Sequence, residues 1–180
     1  MVENKKLNLG CGEDIKKDYI NLDFVKQRGV DVVYNLNKFP WPFKDNEFDL
    51  IYCSHVLEHI NDFERTLLEI KRICKNGARI IIRVPHFSCG VTYRDPIHKT
   101  FFSYFTFDYY SINGIKNYEK KSSLKFLKII NKKLNFTRFA FTFLNIPLNP
   151  LINLNQAIYE RFFCWMLPCS EVLFELEVVK

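Results

Sequence analysis

An α/β fold built on a mostly parallel sheet is predicted by three observations. Strand and helix signals alternate through the first half of the chain. The run 79–84 is apolar enough to sit at a sheet centre. The chain also finishes strand–helix–strand, its final run 171–179 alternating Val172, Phe174, Leu176 and Val178 with polar residues, which suits an antiparallel last strand.

The elements follow in order. The first four strands are expected at 5–9, 19–23, 30–34 and 48–53, with room for only a short turn or helix between the first two. A helix is expected from Ser54 or His55 through His59. A second, over 62–74, places Phe63, Leu67, Leu68, Ile70 and Ile73 at helical spacing and stops at Asn76-Gly77. The fifth strand is 79–84 and the sixth 125–134; a helix over 151–166 breaks at Pro168 before the seventh strand.

With 180 residues, one domain spanning 1–180 is expected. Residues 1–84 would form the ligand-binding half, 85–121 an acceptor-site segment and 122–180 the C-terminal finish. No basic-then-apolar leader opens the chain and no apolar run approaches 18 residues, so a cytoplasmic protein without a membrane span is expected. Six scattered cysteines with no C-x-x-C fit reduced thiols better than a disulfide frame or a zinc cage. The net charge is +6, and Lys116, Lys120, Lys121, Lys125, Lys128, Lys132, Lys133 and Arg138 are concentrated against Glu119 alone. That stretch reads as a solvated face, or as a contact for a phosphorylated substrate, nucleic acid or anionic lipid.

The chemistry concentrates at Leu7-Asn8-Leu9-Gly10-Cys11-Gly12, an apolar strand running into a turn with glycines two apart. Glycine lets the backbone approach a ligand and adopt angles closed to other residues. In an open α/β sheet, ligands bind outside the carboxyl ends of the strands. Alone, the pattern fits a dinucleotide, a nucleoside or a plain tight turn. Asp23 closes the second strand, where a carboxylate can accept both hydroxyls of a ribose, or merely cap a turn. Asn35-Leu36 follows the third strand and could flank an adenine. Phe39-Pro40-Trp41-Pro42-Phe43-Lys44-Asp45-Asn46-Glu47-Phe48-Asp49-Leu50-Ile51 then leads into Ser54-His55-Val56-Leu57-Glu58-His59-Ile60.

With these four elements in order, the sequence resembles the class I S-adenosylmethionine-dependent methyltransferases, and more closely the small methyltransferase type 11 proteins. The likeness covers roughly residues 5–104. It implies a Rossmann-like three-layer α/β/α sandwich with a seven-stranded, mostly parallel sheet and an antiparallel last strand. It implies S-adenosyl-L-methionine as cofactor. Gly10, Cys11 and Gly12 would cradle its methionine part, and Asp23 its ribose. Phe24, Asn35 and Leu36 would contact the adenine, and Ser54 and His55 would line the sulfonium end. The chain departs from the pattern at Asn8, where an acidic residue is usual, and in having only four residues before Lys5. Residues 85–121 or a second subunit in a homodimer would then cover the cofactor.

Methyl transfer requires chiefly alignment of a nucleophile, with a base where the nucleophile is a hydroxyl. His55, His86 and His98 are the expected bases, His55 first because it follows the fourth strand directly. His55, Glu58 and His59, with the later His98, are similar to the Glu-x-x-Glu-His metal sets of some O-methyltransferases. Leu-Glu-His is widespread in methyltransferases that bind no metal, so no metal is assigned. Residues 86–111, rich in aromatics and carrying Arg94 and Lys99, would form the acceptor pocket. The expected reaction is O-methylation of a small molecule or glycan precursor. Methylation of RNA or protein is a second reading, and a non-catalytic cofactor-binding module that needs a partner is a third.

Overall fold

The computed structural model describes residues 4–114, 124–138 and 141–180. These form a seven-stranded sheet from β1 (Lys6–Leu9), β2 (Ile20–Asp23), β3 (Val32–Val33), β4 (Phe48–Ser54), β5 (Cys74–Pro85), β6 (Leu127–Asn135) and β7 (Glu171–Val178). The order is β3-β2-β1-β4-β5-β7-β6. Strands β3 to β5 run parallel, and β7 inserts antiparallel to both β5 and β6. This is the Rossmann-like arrangement expected of the sequence.

Register assigns the faces. Leu7 pairs with Ile51, Ile51 with Ile80 and Ile80 with Leu176; one step along, Leu9, Cys53, Ile82 and Phe174 form the next row. All eight are buried. They pack under α1 (Phe63–Ile73) and an aromatic cluster in which Phe107 meets Phe174 at 4.7 Å and Phe63 meets Phe102 at 5.6 Å. Each fully buried aliphatic or Phe side chain on this face contributes roughly 1.5–3 kcal/mol. Helix α1 forms because its apolar residues recur on one face and Asp62 caps it, accepting from Arg65 N at 3.0 Å. Arg72 near its end reaches Glu69, Asp45 and the carbonyls of Trp41 and Phe43, tying the 41–45 loop to the helix.

The opposite face is half-buried at Tyr52, Ile81, Arg83, Leu173 and Glu175. The chain passes from β1 to β2 and from β2 to β3 through turns, with no helix in either connection. The β1–β2 turn covers part of this face, with Lys16 Nζ over the Tyr52 ring at 4.2 Å.

Three expectations need correction. The helix expected at 54–59 is a single turn, Leu57–His59, because His55 adopts φ +57 and donates its N–H to Arg83 O. The Asn76-Gly77 stop is not a helix end. Helix α1 ends at Ile73, the chain passes directly into β5, and Gly77 (φ +78) lies in an irregular stretch where 74–79 opposes Phe48–Leu50. The helix expected at 151–166 is α3 (Asn145–Ile152), then a break, then α4 (Gln156–Ile158) continuing as a wider turn over Tyr159–Phe163. Asn155 caps the restart by accepting from Ile158 N at 3.1 Å, and Asn153 turns away to bond both backbone groups of Leu134.

Candidate functional site

A cleft of about 490 Å³ opens at the carboxyl ends of β1, β2 and β4, where the sheet order reverses. Gly10, Gly12, Asp23, Phe24, Tyr34, Asn35, Leu36, Asn37, His55, Val56, His59, Ile60 and Ile97 line it. Its volume suits a small-molecule ligand.

The glycine turn is built by backbone constraint. Gly10 has φ +65, and a Cβ there would lie 2.4 Å from Val56 Cγ2. Gly12 has φ +49 and faces open space. Cys11 N donates to Leu22 O at 2.9 Å, pinning the turn to the end of β2. The Asp23 carboxylate then locks it: Oδ2 accepts from Gly12 N at 2.8 Å and Oδ1 from Val25 N at 3.0 Å. Gln27 bonds the Gly12 carbonyl from the far side. Asn8, in place of an acidic residue, donates to Asp14 O at 2.7 Å and Asn21 Oδ1 at 3.0 Å, so an amide organises the turn. A side chain at Gly10 would collide with Val56 on the cleft wall, so the turn presents bare backbone to the cleft at both glycines, as a cradle for a small ligand requires. Phe24 is 74% exposed at the lip, an unused aromatic face beside the Asp23 carboxylate. Leu36 is buried on the wall, its carbonyl held by Trp41 Nε1 at 3.1 Å.

His55 stands between two carboxylates. Nδ1 is 3.3 Å from Glu58 Oε1 and Nε2 is 3.4 Å from Glu171 Oε2. Burial works to lower its pKa, but the two carboxylates outweigh it and the net shift is upward. Glu171 also accepts from Arg83 and from Asn135 Nδ2 at 2.8 Å. Burial alone would raise its pKa; His55, Arg83 and Asn135 together hold it down at about 2.

The chain is similar to known proteins in three ways. The family model described as a methyltransferase domain matches residues 11–82. The uncharacterized proteins MJ0638 and MJ1123 of Methanocaldococcus jannaschii are 38% and 34% identical over 97 and 80 residues, which is 46% and 44% of this chain. Those alignments span 43% and 38% of the relatives' own length, so the chain matches less than half of each. Among solved structures, the YcgJ protein of Bacillus subtilis has a TM-score of 0.58 at 15% identity, covering 99% of this chain and 92% of its own. An S-adenosylmethionine-dependent methyltransferase of Mesorhizobium loti gives 0.54 at 12%, covering 98% and 93%. The Haloferax volcanii protein solved in complex with the Trm112 methyltransferase activator gives 0.55 at 14%, covering 98% and 83%.

Residues 11–82 therefore resemble a methyltransferase domain, and the fold is that of solved class I methyltransferases. The cleft gathers Gly10, Gly12, Asp23, Phe24, Asn35, Leu36 and His55 from the residues the sequence singles out. It does not gather Cys11, Ser54, His86 or His98 onto its wall. Cys11 points inward, where burial raises its thiol pKa to about 11. His86 is fully buried, with Nδ1 2.8 Å from Ser88 Oγ and Nε2 3.1 Å from Glu160 Oε1. Glu160 also accepts from Ser103 Oγ at 2.7 Å and Tyr104 N at 2.6 Å, so His86 belongs to a cross-link between distant segments. His98 lies just behind the cleft with its ring 4.7 Å from that of His59. Sequence reasoning missed Tyr34, Asn37, Val56 and Ile60 as lining residues; the nearness of Tyr34 and Asn37 to Asn35-Leu36 could have signalled those two, while Ile97 lies in the 86–111 stretch expected to form the acceptor pocket.

Of the basic stretch, Lys116, Lys120, Lys121 and Glu119 lie outside the described residues. Within them, Lys132 Nζ bonds both Asp108 oxygens at 2.8 and 2.9 Å, and Lys128 faces Glu177 at 3.7 Å. No helix among the described residues is long and apolar enough to cross a membrane.

Proposed function

We propose that the protein transfers a methyl group from S-adenosylmethionine to an oxygen of a small molecule or glycan precursor. The observation that carries this is Asp23, whose carboxylate is fixed at the cleft lip by Gly12 and Val25 N–H with lone pairs left for a ribose. Gly10 and Gly12 would offer bare backbone to the methionine part, Phe24 and Leu36 would flank the adenine, and Asn35 would reach its edge. The cofactor supplies a methyl group on a sulfonium, already electrophilic, so the chain's own task is alignment.

The acceptor would enter past Ile97. Around it Tyr93 stacks on Phe101 with centroids 5.3 Å apart, and both rings are more than half or about half exposed. Such a rim suits a sugar or planar ring. Internal pairing of Lys128 and Lys132 lowers the charge available for RNA, so the small-molecule reading is preferred. Dependence on a partner protein is a second reading, favoured by the half-buried sheet face and by the activator bound to the Haloferax volcanii neighbour.

The test is calorimetric titration of the purified chain with S-adenosylhomocysteine, then incubation with methyl-labelled S-adenosylmethionine and fractionated extract. Binding followed by label in a small-molecule fraction is expected. Label in RNA or protein would overturn the acceptor class, and no binding would overturn the whole reading.

A further inference from the structure

Glu58 is 1% exposed, yet neither of its carboxylate oxygens accepts a hydrogen bond from the described residues. His59 Nδ1, on the next residue, is also buried without a hydrogen-bond partner among the described residues. A buried carboxylate without donors is costly, and native structures seldom keep one without an ion or water to compensate it. The nearest cation-forming group, His55 Nδ1, is 3.3 Å from Oε1 but is drawn by Glu171 on its other nitrogen.

A third group faces the same point. The loop after α2 (Gly90–Arg94) is anchored to Glu58 itself, whose backbone carbonyl accepts from Lys99 N at 2.7 Å and Thr100 N at 3.2 Å. This brings His98 beside His59. His98 Nδ1 lies 3.0 Å from Thr92 O, which can only accept, so Nδ1 donates there and Nε2, 3.7 Å from Asp95 Oδ2, is the nitrogen left to ligate. One donor atom from each of Glu58, His59 and His98 lies within 4.8 Å of the others. An imidazole oriented by a carbonyl on its far nitrogen is the usual outer support of a metal ligand.

We propose that Glu58, His59 and His98 bind one divalent transition-metal ion at the inner wall of the cleft. Two imidazoles and a carboxylate suit manganese, iron, cobalt or zinc better than magnesium, which prefers oxygen ligands and retained water. Three protein ligands leave coordination positions open, as in catalytic rather than structural sites. His59 lines the cleft, and open coordination positions on an ion held by it would be available from that side. If the methyl-transfer reading holds, they would take an acceptor hydroxyl and lower its pKa, a role His55, with both ring nitrogens facing carboxylates, is poorly placed to fill. The sequence reading, which assigned no metal, had no means of detecting the unpartnered oxygens.

The full chain, stripped with chelator and dialysed, is titrated with Co²⁺. Visible absorption and mass-spectrometric metal counting read the result, with circular dichroism to confirm folding. About one Co²⁺ per chain is expected. Loss of an outer-shell partner already weakens metal affinity by 10–100-fold, so His98→Ala should cost more than about 100-fold. Glu58→Gln, which keeps the side-chain shape, should weaken binding in parallel. Absence of saturable binding, or equal binding by wild type and both folded variants, would overturn the site. S-adenosylhomocysteine binding measured on the same samples separates this outcome from failure of the methyltransferase reading.

Discussion

Asp23 is the clasp of the glycine turn: its Oδ2 sits 2.8 Å from Gly12 N, two strands' worth of chain being closed by one carboxylate. The residue that would bind the ribose therefore also shapes the cradle for the rest of the ligand. Asp23→Ala should weaken S-adenosylhomocysteine binding by about 10- to 100-fold in calorimetry. A hydrogen bond to a charged group is worth about 1.5–3 kcal/mol, and each 1.4 kcal/mol is about tenfold. Unchanged affinity would mean that the carboxylate serves the turn alone.

The two glycines should respond differently to alanine. At Gly12 only the left-handed backbone is penalised, by about 1–2 kcal/mol. At Gly10 the same penalty is joined by overlap with Val56, adding about 1–3 kcal/mol. Urea unfolding should therefore rank Gly10→Ala below Gly12→Ala. Adding Val56→Ala to Gly10→Ala should relieve less than the full deficit, because it removes the overlap and not the strain.

Glu171 predicts an acid-limb effect. Its native pKa, about 2, lies below its value in an unfolded chain, so it stabilises the fold in the ionised form. That contribution is complete above about pH 4.5 and is lost as the pH falls toward 2. At neutral pH it is on the order of 3 kcal/mol. Glu171→Gln, which also leaves Arg83 and His55 without their carboxylate, should be less stable at pH 7. Its stability should fall less steeply than wild type between pH 4.5 and 2; parallel acid slopes would contradict this assignment.

His86 should behave as a structural residue. Its replacement by alanine removes a fully buried ring and deprives Glu160 of a partner, costing about 2–4 kcal/mol in denaturant unfolding. Cofactor affinity in the folded fraction should stay within about twofold, since His86 lies off the cleft wall. A large loss of affinity with unchanged stability would reverse this reading.

The parallel half of the sheet was legible because buried strands such as 79–84 read as apolar runs, and α1 because its apolar face recurs without a break. Asp23 was legible because only strand ends and turns favour a carboxylate there. What escaped depended on distant partners. The backbone of His55 is set by Arg83 and the packing of Val56 on Gly10, so no local helix signal could be trusted over 54–59. Gly77 reads as a helix stop in isolation, yet its positive φ serves an irregularity inside β5. His59 and His98, 39 positions apart in the numbering, meet only because Lys99 and Thr100 bond the Glu58 carbonyl. Side-chain spacing along the chain holds no record of that bond.

The passage from β1 to β2 through turns alone has an electrostatic meaning. A helix beginning at this point would aim unpaired N–H groups and a partial positive charge at the ligand, the arrangement that draws pyrophosphates. Here residues 10–19 bring no such macrodipole, and the turn is closed by the Asp23 carboxylate instead. A pyrophosphate therefore finds no helix terminus to stabilise it at this turn, a feature that a sulfonium ligand does not require. A glycine pattern shared by two cofactor classes lacks here the anion-binding helix end that a dinucleotide uses, and NAD⁺ should fail to compete for the cleft.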